Sequence, residues 1–115
     1  MQIIEQYIAA WNTTDAAARK ELVGRVFTTE ATYTDPLAQV TGHDQIDALL
    51  AAAQAQFAGL EFTLAGEVDA HHDVARFTWH LGPHNGEPIV VGFDVAVLAD
   101  GRIDKVHGFL DRVPA

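Results

Sequence analysis

Three helical patterns followed by four strand-like runs predict an α+β domain, with the helices packed on one face of an antiparallel sheet. Three observations carry that expectation. Apolar residues recur at helical spacing only as far as Phe57. Beyond Leu60 the chain reads as strands whose alternate residues face opposite sides. Those strands are separated by short polar turns such as Asp100-Gly101. The 115 residues amount to one domain, residues 1–115, able to bury roughly 65% of the surface that the unfolded chain exposes.

Each element has a local reason. Ile3, Ile4, Tyr7, Ile8 and Trp11 share one face of a first helix from Gln2 to Trp11. Asn12-Thr13-Thr14-Asp15 then supplies side-chain oxygens that suit exposed N–H groups, and a second helix runs from Ala16 to Phe27 with Leu22, Val23, Val26 and Phe27 in register. Ala31-Thr32-Tyr33-Thr34-Asp35 favours extended backbone, and Pro36 ends this strand by holding Asp35 out of the helical region. A loop leads to Thr41-Gly42-His43-Asp44, which resembles a capping box, and a third helix carries Ile46, Leu49, Leu50, Ala53 and Phe57 before stopping near Gly59. Four strands are expected over Glu61 to Asp69, Val74 to Leu81, Ile89 to Leu98 and Arg102 to Arg112. Turns fall at His71-His72-Asp73, Pro83-His84-Asn85-Gly86 and Asp100-Gly101.

Composition excludes several classes of function. Seven Lys and Arg against 16 Asp and Glu leave a formal charge of -9, so nucleic acid and anionic membrane surfaces are repelled over most approaches. Without cysteine there are no disulfides, thiolate metal sites or thiol nucleophile. Met1-Gln2-Ile3-Ile4-Glu5-Gln6 lacks the basic start and apolar stretch of a signal peptide, and a cytoplasmic location is expected. Asn12-Thr13-Thr14 matches a glycosylation sequon, which carries weight only in a secreted chain.

Three polar side chains in apolar surroundings are candidates for chemistry. Tyr7 lies on the buried stripe of the first helix, as a core aromatic or as a hydroxyl needing a partner. Asp94 is the one carboxyl within Val90-Val91-Gly92-Phe93-Asp94-Val95-Ala96-Val97-Leu98. Two readings fit it: a structural hydrogen bond or ion pair, with Arg76 or Arg102 as partners, or a carboxyl whose pKa rises so that it stays protonated and donates a hydrogen bond. Asp35 is a turn former before Pro36 or a functional carboxylate. His71-His72-Asp73 lies in a turn without a third ligand at defined spacing, so no metal site is expected.

Taken together, Glu5-Gln6-Tyr7-Ile8-Ala9-Ala10-Trp11-Asn12-Thr13-Thr14-Asp15, Ala31-Thr32-Tyr33-Thr34-Asp35-Pro36, Val90-Val91-Gly92-Phe93-Asp94 and Asp100-Gly101-Arg102-Ile103 resemble the NTF2-like superfamily. Its SnoaL-like polyketide cyclases and ketosteroid isomerases are the nearest groups. The resemblance implies a curved antiparallel sheet wrapped by three helices into a cone, a pocket for a small apolar ligand, and a homodimer through the convex sheet face. It also implies roles. Asp35 becomes the general base that removes a proton alpha to a carbonyl, while Tyr7 and a protonated Asp94 form the oxyanion hole. The raised pKa of Asp94 is carried over from the isomerases, where an apolar site keeps a carboxylic acid neutral. The pocket walls implied are Trp11, Phe57, Phe62, Phe77, Trp79, Leu81, Val106 and Leu110.

This chain also departs from the isomerases. Leu50 stands where they carry a supporting tyrosine, which shortens the hydrogen-bond network, and Trp79 takes up volume that a steroid needs, so a smaller or flatter ligand is expected. The arginine and aspartate that alternate on one strand in the limonene-epoxide hydrolases are missing, because Phe77 and Thr78 follow Arg76. The cavity histidines of the scytalone dehydratases have no match either, since parity puts His80 opposite Phe77 and Trp79, and His107 opposite Val106, Gly108 and Leu110. The expected activity is a cofactor-independent proton transfer alpha to the carbonyl of a small apolar substrate, giving isomerisation or an aldol-type cyclisation. The alternative is a non-catalytic ligand-binding or dimerisation module of the same fold.

Overall fold

The structure, a computed structural model, describes residues 1–114. Its helices are α1 (Gln2–Asn12), α2 (Ala16–Val26) and α3 (His43–Gln56), and its strands β1 (Phe27–Thr34), β2 (Gln39–Thr41), β3 (Glu61–His71), β4 (Val74–Gly82), β5 (Val90–Ala99) and β6 (Arg102–Arg112). The strands form a single curved, unclosed sheet in the order β2-β1-β6-β5-β4-β3. Every neighbouring pair is antiparallel except β1 and β6, which run parallel. No helix among the described residues is long and apolar enough to cross a membrane.

The helices sit on the inner face of the sheet, where Ile4, Tyr7, Val23, Val26, Phe27, Ile46, Leu50, Phe77, Leu81, Ile103 and Val106 are almost wholly excluded from solvent. Strand parity holds as expected. Phe77, Trp79 and Leu81 face the helices, while Arg76, Thr78 and His80 lie on the outer face. His107 is exposed there too, opposite Val95. Asp15 caps α2, its carboxylate accepting from the Ala18 N–H at 2.9 Å.

Three expectations need correction. The second helix stops at Val26, and Phe27 already opens β1, because its side chain packs inward opposite Ile103 of β6. The strand expected from Ala31 to Asp35 therefore begins four residues earlier, at Phe27, and ends at Thr34, and the loop beyond it contains β2. Thr41 does not cap α3: Gly42 holds the N-cap position with φ 87°, and the Gln45 side chain instead accepts from the Thr41 N–H at 2.9 Å. A glycine can adopt that left-handed backbone without steric cost, which explains its place at this helix start.

Two polar devices fix α1, which carries Tyr7. The Asn12 side chain donates to the carbonyl of Phe62 and accepts from its N–H, both at 2.8 Å, joining the end of α1 to the edge strand β3. At the same helix end, Gln54 of α3 donates to the carbonyls of Ala10, Trp11 and Thr13 at 3.3, 3.0 and 2.9 Å. The last carbonyls of a helix lack intrahelical partners, and here Gln54 serves them together with the Thr13 N–H, which donates to the Ala10 carbonyl at 3.4 Å. Gln54 is itself held by the nearly buried Arg19, which donates to it at 2.9 Å and to Asp47 at 2.7 Å. Gln54→Ala should therefore lower the unfolding free energy by about 2 kcal/mol in urea titrations. A loss below about 0.5 kcal/mol would show that water replaces the amide.

Candidate functional site

The tertiary fold brings Tyr7, Asp35 and Asp94 to one place, through strand register. Asp94 on β5 lies opposite Phe77 of β4 on one side and Gly108 of β6 on the other. On β1, Tyr33 pairs with Val106 and Thr34 with His107, so Asp35 continues the register beside Gly108. Asp35, just beyond the end of β1, Gly108 on β6 and Asp94 on β5 thus form a row on the inner face. The glycine makes the row possible: a Cβ at position 108 would lie 2.8 Å from Oδ1 of Asp94 and 3.2 Å from Cβ of Asp35.

Asp94 is 3% exposed and Tyr7 1% exposed. The Tyr7 hydroxyl donates to Oδ2 of Asp94 at 2.7 Å, and the Trp79 indole Nε1–H donates to Oδ1 at 3.1 Å. Among the described residues no arginine pairs with this carboxyl. Arg76 bonds Asp69 at 3.2 Å, and Arg102 donates to the carbonyls of Gly24 and Phe27, which overturns the ion-pair reading of Asp94. Their strand positions explain it, since Arg76 is on the outer face and Arg102 is at the far end of β6.

Asp35 follows β1 in the tight turn at Pro36. Its Oδ1 accepts from the N–H groups of Leu37 and Ala38, each at 2.8 Å, as an aspartate does in an Asx turn. Oδ2 accepts from the Tyr33 hydroxyl at 2.7 Å, leaving the other lone pair of this oxygen as the one open to a substrate proton. The turn-forming and functional readings of Asp35 are thus compatible, because they use different oxygens.

The electrostatics follow from burial. Desolvation pushes the Asp94 carboxyl up to about 6, the hydrogen bonds from Tyr7 and Trp79 oppose the rise, and the charge of Asp35 adds to it. At pH 7 about a tenth of Asp94 then carries a proton, whereas below pH 6 most of it does. Burial, followed by the charge of Asp94, raises Tyr7 well above the usual tyrosine range, and the same two causes raise Tyr33. Both hydroxyls keep their protons at neutral pH and act as donors.

The wall residues sort by depth. Phe77, Leu81 and Val106 are core, Trp11 and Trp79 are each 9% exposed, and Phe57, Phe62 and Leu110 are half-buried. Trp11 packs on Phe62 at 5.1 Å between ring centroids and Phe62 on Trp79 at 5.6 Å, while Trp11 also meets Tyr33 at 5.6 Å. This aromatic layer borders both carboxylates. Two surface concavities lie on the outer face. One, about 260 Å³, is flanked by Glu67, Asp69, Arg76 and Phe93, and the other, about 210 Å³, by Glu61, His80 and Asn85. Neither touches Tyr7, Asp35 or Asp94.

Sequence reasoning missed the parts played by Tyr33, Gly108 and the Trp79 indole. Tyr33 was legible in principle, because residues two apart on a strand share a face and Asp35 follows at that spacing. The part of Gly108 depends on the β1–β6 pairing, which no local pattern encodes.

The pH dependence of stability tests this electrostatic picture. Between about pH 4 and pH 6 the native state holds a proton on Asp94 that the unfolded chain has released, so this group's contribution to stability falls as pH rises through that window. The difference amounts to about 3 kcal/mol. Asp94→Asn lacks the titration, so its unfolding free energy relative to wild type should rise by that amount between pH 3.5 and pH 7.5. Parallel curves for the two proteins would mean that the carboxyl titrates as it does in an unfolded chain.

Comparison with known proteins agrees with this architecture. The model of the SnoaL-like domain matches residues 4–106. A candidate isomerase of the SnoaL-like family from Agrobacterium tumefaciens is 42% identical, superposes with a TM-score of 0.90, and the match covers 96% of this chain and 95% of that one. A candidate polyketide cyclase from Sinorhizobium meliloti shares the fold at 24% identity and a TM-score of 0.74, over 94% of each chain. A protein of ketosteroid isomerase-like fold from Catenulispora acidiphila, solved in complex with trimethylamine, shares it at 22% identity and a TM-score of 0.75, over 92% of this chain and 82% of that one. No curated protein matches the sequence. On its family match and its 42% identity to the Agrobacterium protein, the chain belongs to the SnoaL-like domain family.

Proposed function

We propose that the protein is a cofactor-independent enzyme that moves a proton alpha to a carbonyl of a small apolar substrate, by isomerisation or aldol-type cyclisation. The observation that carries this reading is the row Asp35–Gly108–Asp94, which sets a carboxylate base on one side of a glycine and a hydrogen-bonded tyrosine–acid pair on the other. Oδ2 of Asp35 takes the alpha proton, its turn-bound Oδ1 keeping the carboxylate aimed. The developing enolate oxygen is met by Asp94 in its protonated form and by the Tyr7 hydroxyl, whose one proton turns from Oδ2 of Asp94 to the substrate once the acid is protonated. Negative charge arising beside Asp94 raises its proton affinity further, so proton uptake there and charge formation on the substrate favour one another. The aromatic layer of Trp11, Phe62 and Trp79 suits a flat substrate and must part to admit it.

A small β,γ-unsaturated ketone, followed by the ultraviolet absorbance of its conjugated product, tests this. Turnover by wild type should fall in kcat/KM by about 10²- to 10⁴-fold in Asp35→Asn and by about 10²-fold in Tyr7→Phe. Conversion unaffected by Asp35→Asn would remove the base assignment. A second reading, a binding module without turnover, is favoured by the trimethylamine complex of the Catenulispora protein, because two carboxylates beside aromatic rings also suit a small organic cation. Saturable trimethylammonium binding without any ketone conversion would select it.

The outer sheet face supports a homodimer. Phe93 and Phe109 stack there at 5.0 Å and 14°, and Phe109 is half exposed. Burying such a pair against a second copy gains apolar area that a monomer leaves in water. Wild type should therefore run as a dimer in light scattering and Phe109→Glu as a folded monomer.

A further inference from the structure

Asp94 has two donors, and one of them is not a hydroxyl. The indole of Trp79 arrives by a defined route: Trp79 on β4 pairs across the sheet with Gly92 on β5, two residues before Asp94 on the same face. A Cβ at position 92 would lie 2.9 Å from Cε2 of the indole and 2.6 Å from the carbonyl oxygen of Phe109, so only a bare glycine lets the ring lie flat along β5. Phe62 packs edge-on against the ring, its centroid 5.6 Å away. Pressed between Gly92 and Phe62, the indole points its Nε1–H at Oδ1 of Asp94, 3.1 Å away.

We infer that Trp79, seated on Gly92, is the positioning residue of the oxyanion pair, holding the Asp94 carboxyl in place and deciding the pH at which it meets a substrate as an acid. Hydrogen bonds from Tyr7 and Trp79 stabilise the charged oxygens of a carboxylate more than those of the neutral acid. Trp79 therefore favours the ionised acid, and the pair becomes fully donating only at lower pH. The groups facing Asp94 are few. Tyr7 comes from α1, Tyr33 and Asp35 from β1, Phe77 and Trp79 from β4, and Gly108 from β6. The only charge among them is Asp35, so the indole is the group available to oppose the effect of burial alongside Tyr7.

This inference rests on the proposed oxyanion pair for its functional meaning, but its test is separable from turnover. The Asp94 side-chain carboxyl carbon is titrated by nuclear magnetic resonance in wild type, Trp79→Phe and Gly92→Ala, without added ligand. Trp79→Phe deletes the donor, and Gly92→Ala keeps the indole but lifts it away. Both should raise the Asp94 midpoint by about one pH unit. In wild type, the Trp79 indole N–H resonance, assigned by its proximity to the Gly92 α-protons, should shift through that same midpoint. With a ketone substrate, the alkaline limb of kcat/KM, along which the protonated acid is lost, should move by the same amount in both variants, which loss of packing alone would not produce. An unchanged Asp94 midpoint in Trp79→Phe, or an indole resonance that stays flat while Asp94 titrates, overturns the inference. The wild-type resonance decides the matter even if the variants do not fold. A shifted midpoint in a protein that turns over no ketone would refute the enzymatic reading and leave the role of Trp79 standing.

Discussion

A single carboxyl in an apolar strand is the constraint around which this inner face is organised. Removing Asp94 from water costs several kcal/mol unless its oxygens find donors, and no cation is placed to help. The fold answers with one hydroxyl from a helix and one indole from the neighbouring strand. Tyr7 can reach Asp94 only because α1 is tied down at its end by Asn12 and Gln54, and those ties depend in turn on Arg19 and Asp47. A largely buried pair of charges on helices α2 and α3 thereby bears on the geometry of a carboxyl buried on the sheet.

Glycine does on this sheet what a larger residue cannot. Position 92 gives the indole a floor, and position 108 leaves room between two carboxylates. In ordinary strands glycine weakens packing because it offers no side chain to a neighbour. Here each missing side chain is replaced by a functional group of another strand, so the loss in packing is recovered as proximity between polar groups. The same trade explains why a chain this acidic tolerates two carboxylates near each other: Asp35 is hydrogen-bonded by its own turn and by Tyr33, while burial raises the proton affinity of Asp94.

The sequence carried most of the fold and less of the site. Helical spacing from Ile3 to Trp11, the cap at Asp15 and the turn at Asp100-Gly101 are local signals, and each marks an element where the structure has one. Strand parity likewise sorted Phe77 and Trp79 from Arg76 and His80. The errors came where tertiary contact overrides local preference. Phe27 fits a helical stripe as well as a strand, and its packing opposite Ile103 decides for the strand. The pairing of Asp94 with arginine failed for the same reason, since charge complementarity in a sequence says nothing about which face or which end of a strand an arginine occupies. Resemblance to a family brought Tyr7, Asp35 and Asp94 together on paper. The donors that complete the site, Tyr33 and Trp79, are particular to the register of this sheet.

The parallel pairing of β1 with β6 has a consequence for how the protein is made. Almost every other strand contact joins neighbours in sequence, so the β3–β6 meander can form by closing short loops. β1 must wait for a partner some seventy residues away, as the Phe27–Ile103 pairing shows, and closing so long a loop is slow. During synthesis the first two helices and β1 leave the ribosome before the sheet strands that cover them, and β1 presents an unpaired edge until the last strand arrives. Asp35 and Asp94 become neighbours only at that moment. The row of Asp35, Gly108 and Asp94 therefore cannot exist before β6 is in place, and a chain cut short before β6 would leave the facing edges of β1 and β5 unpaired.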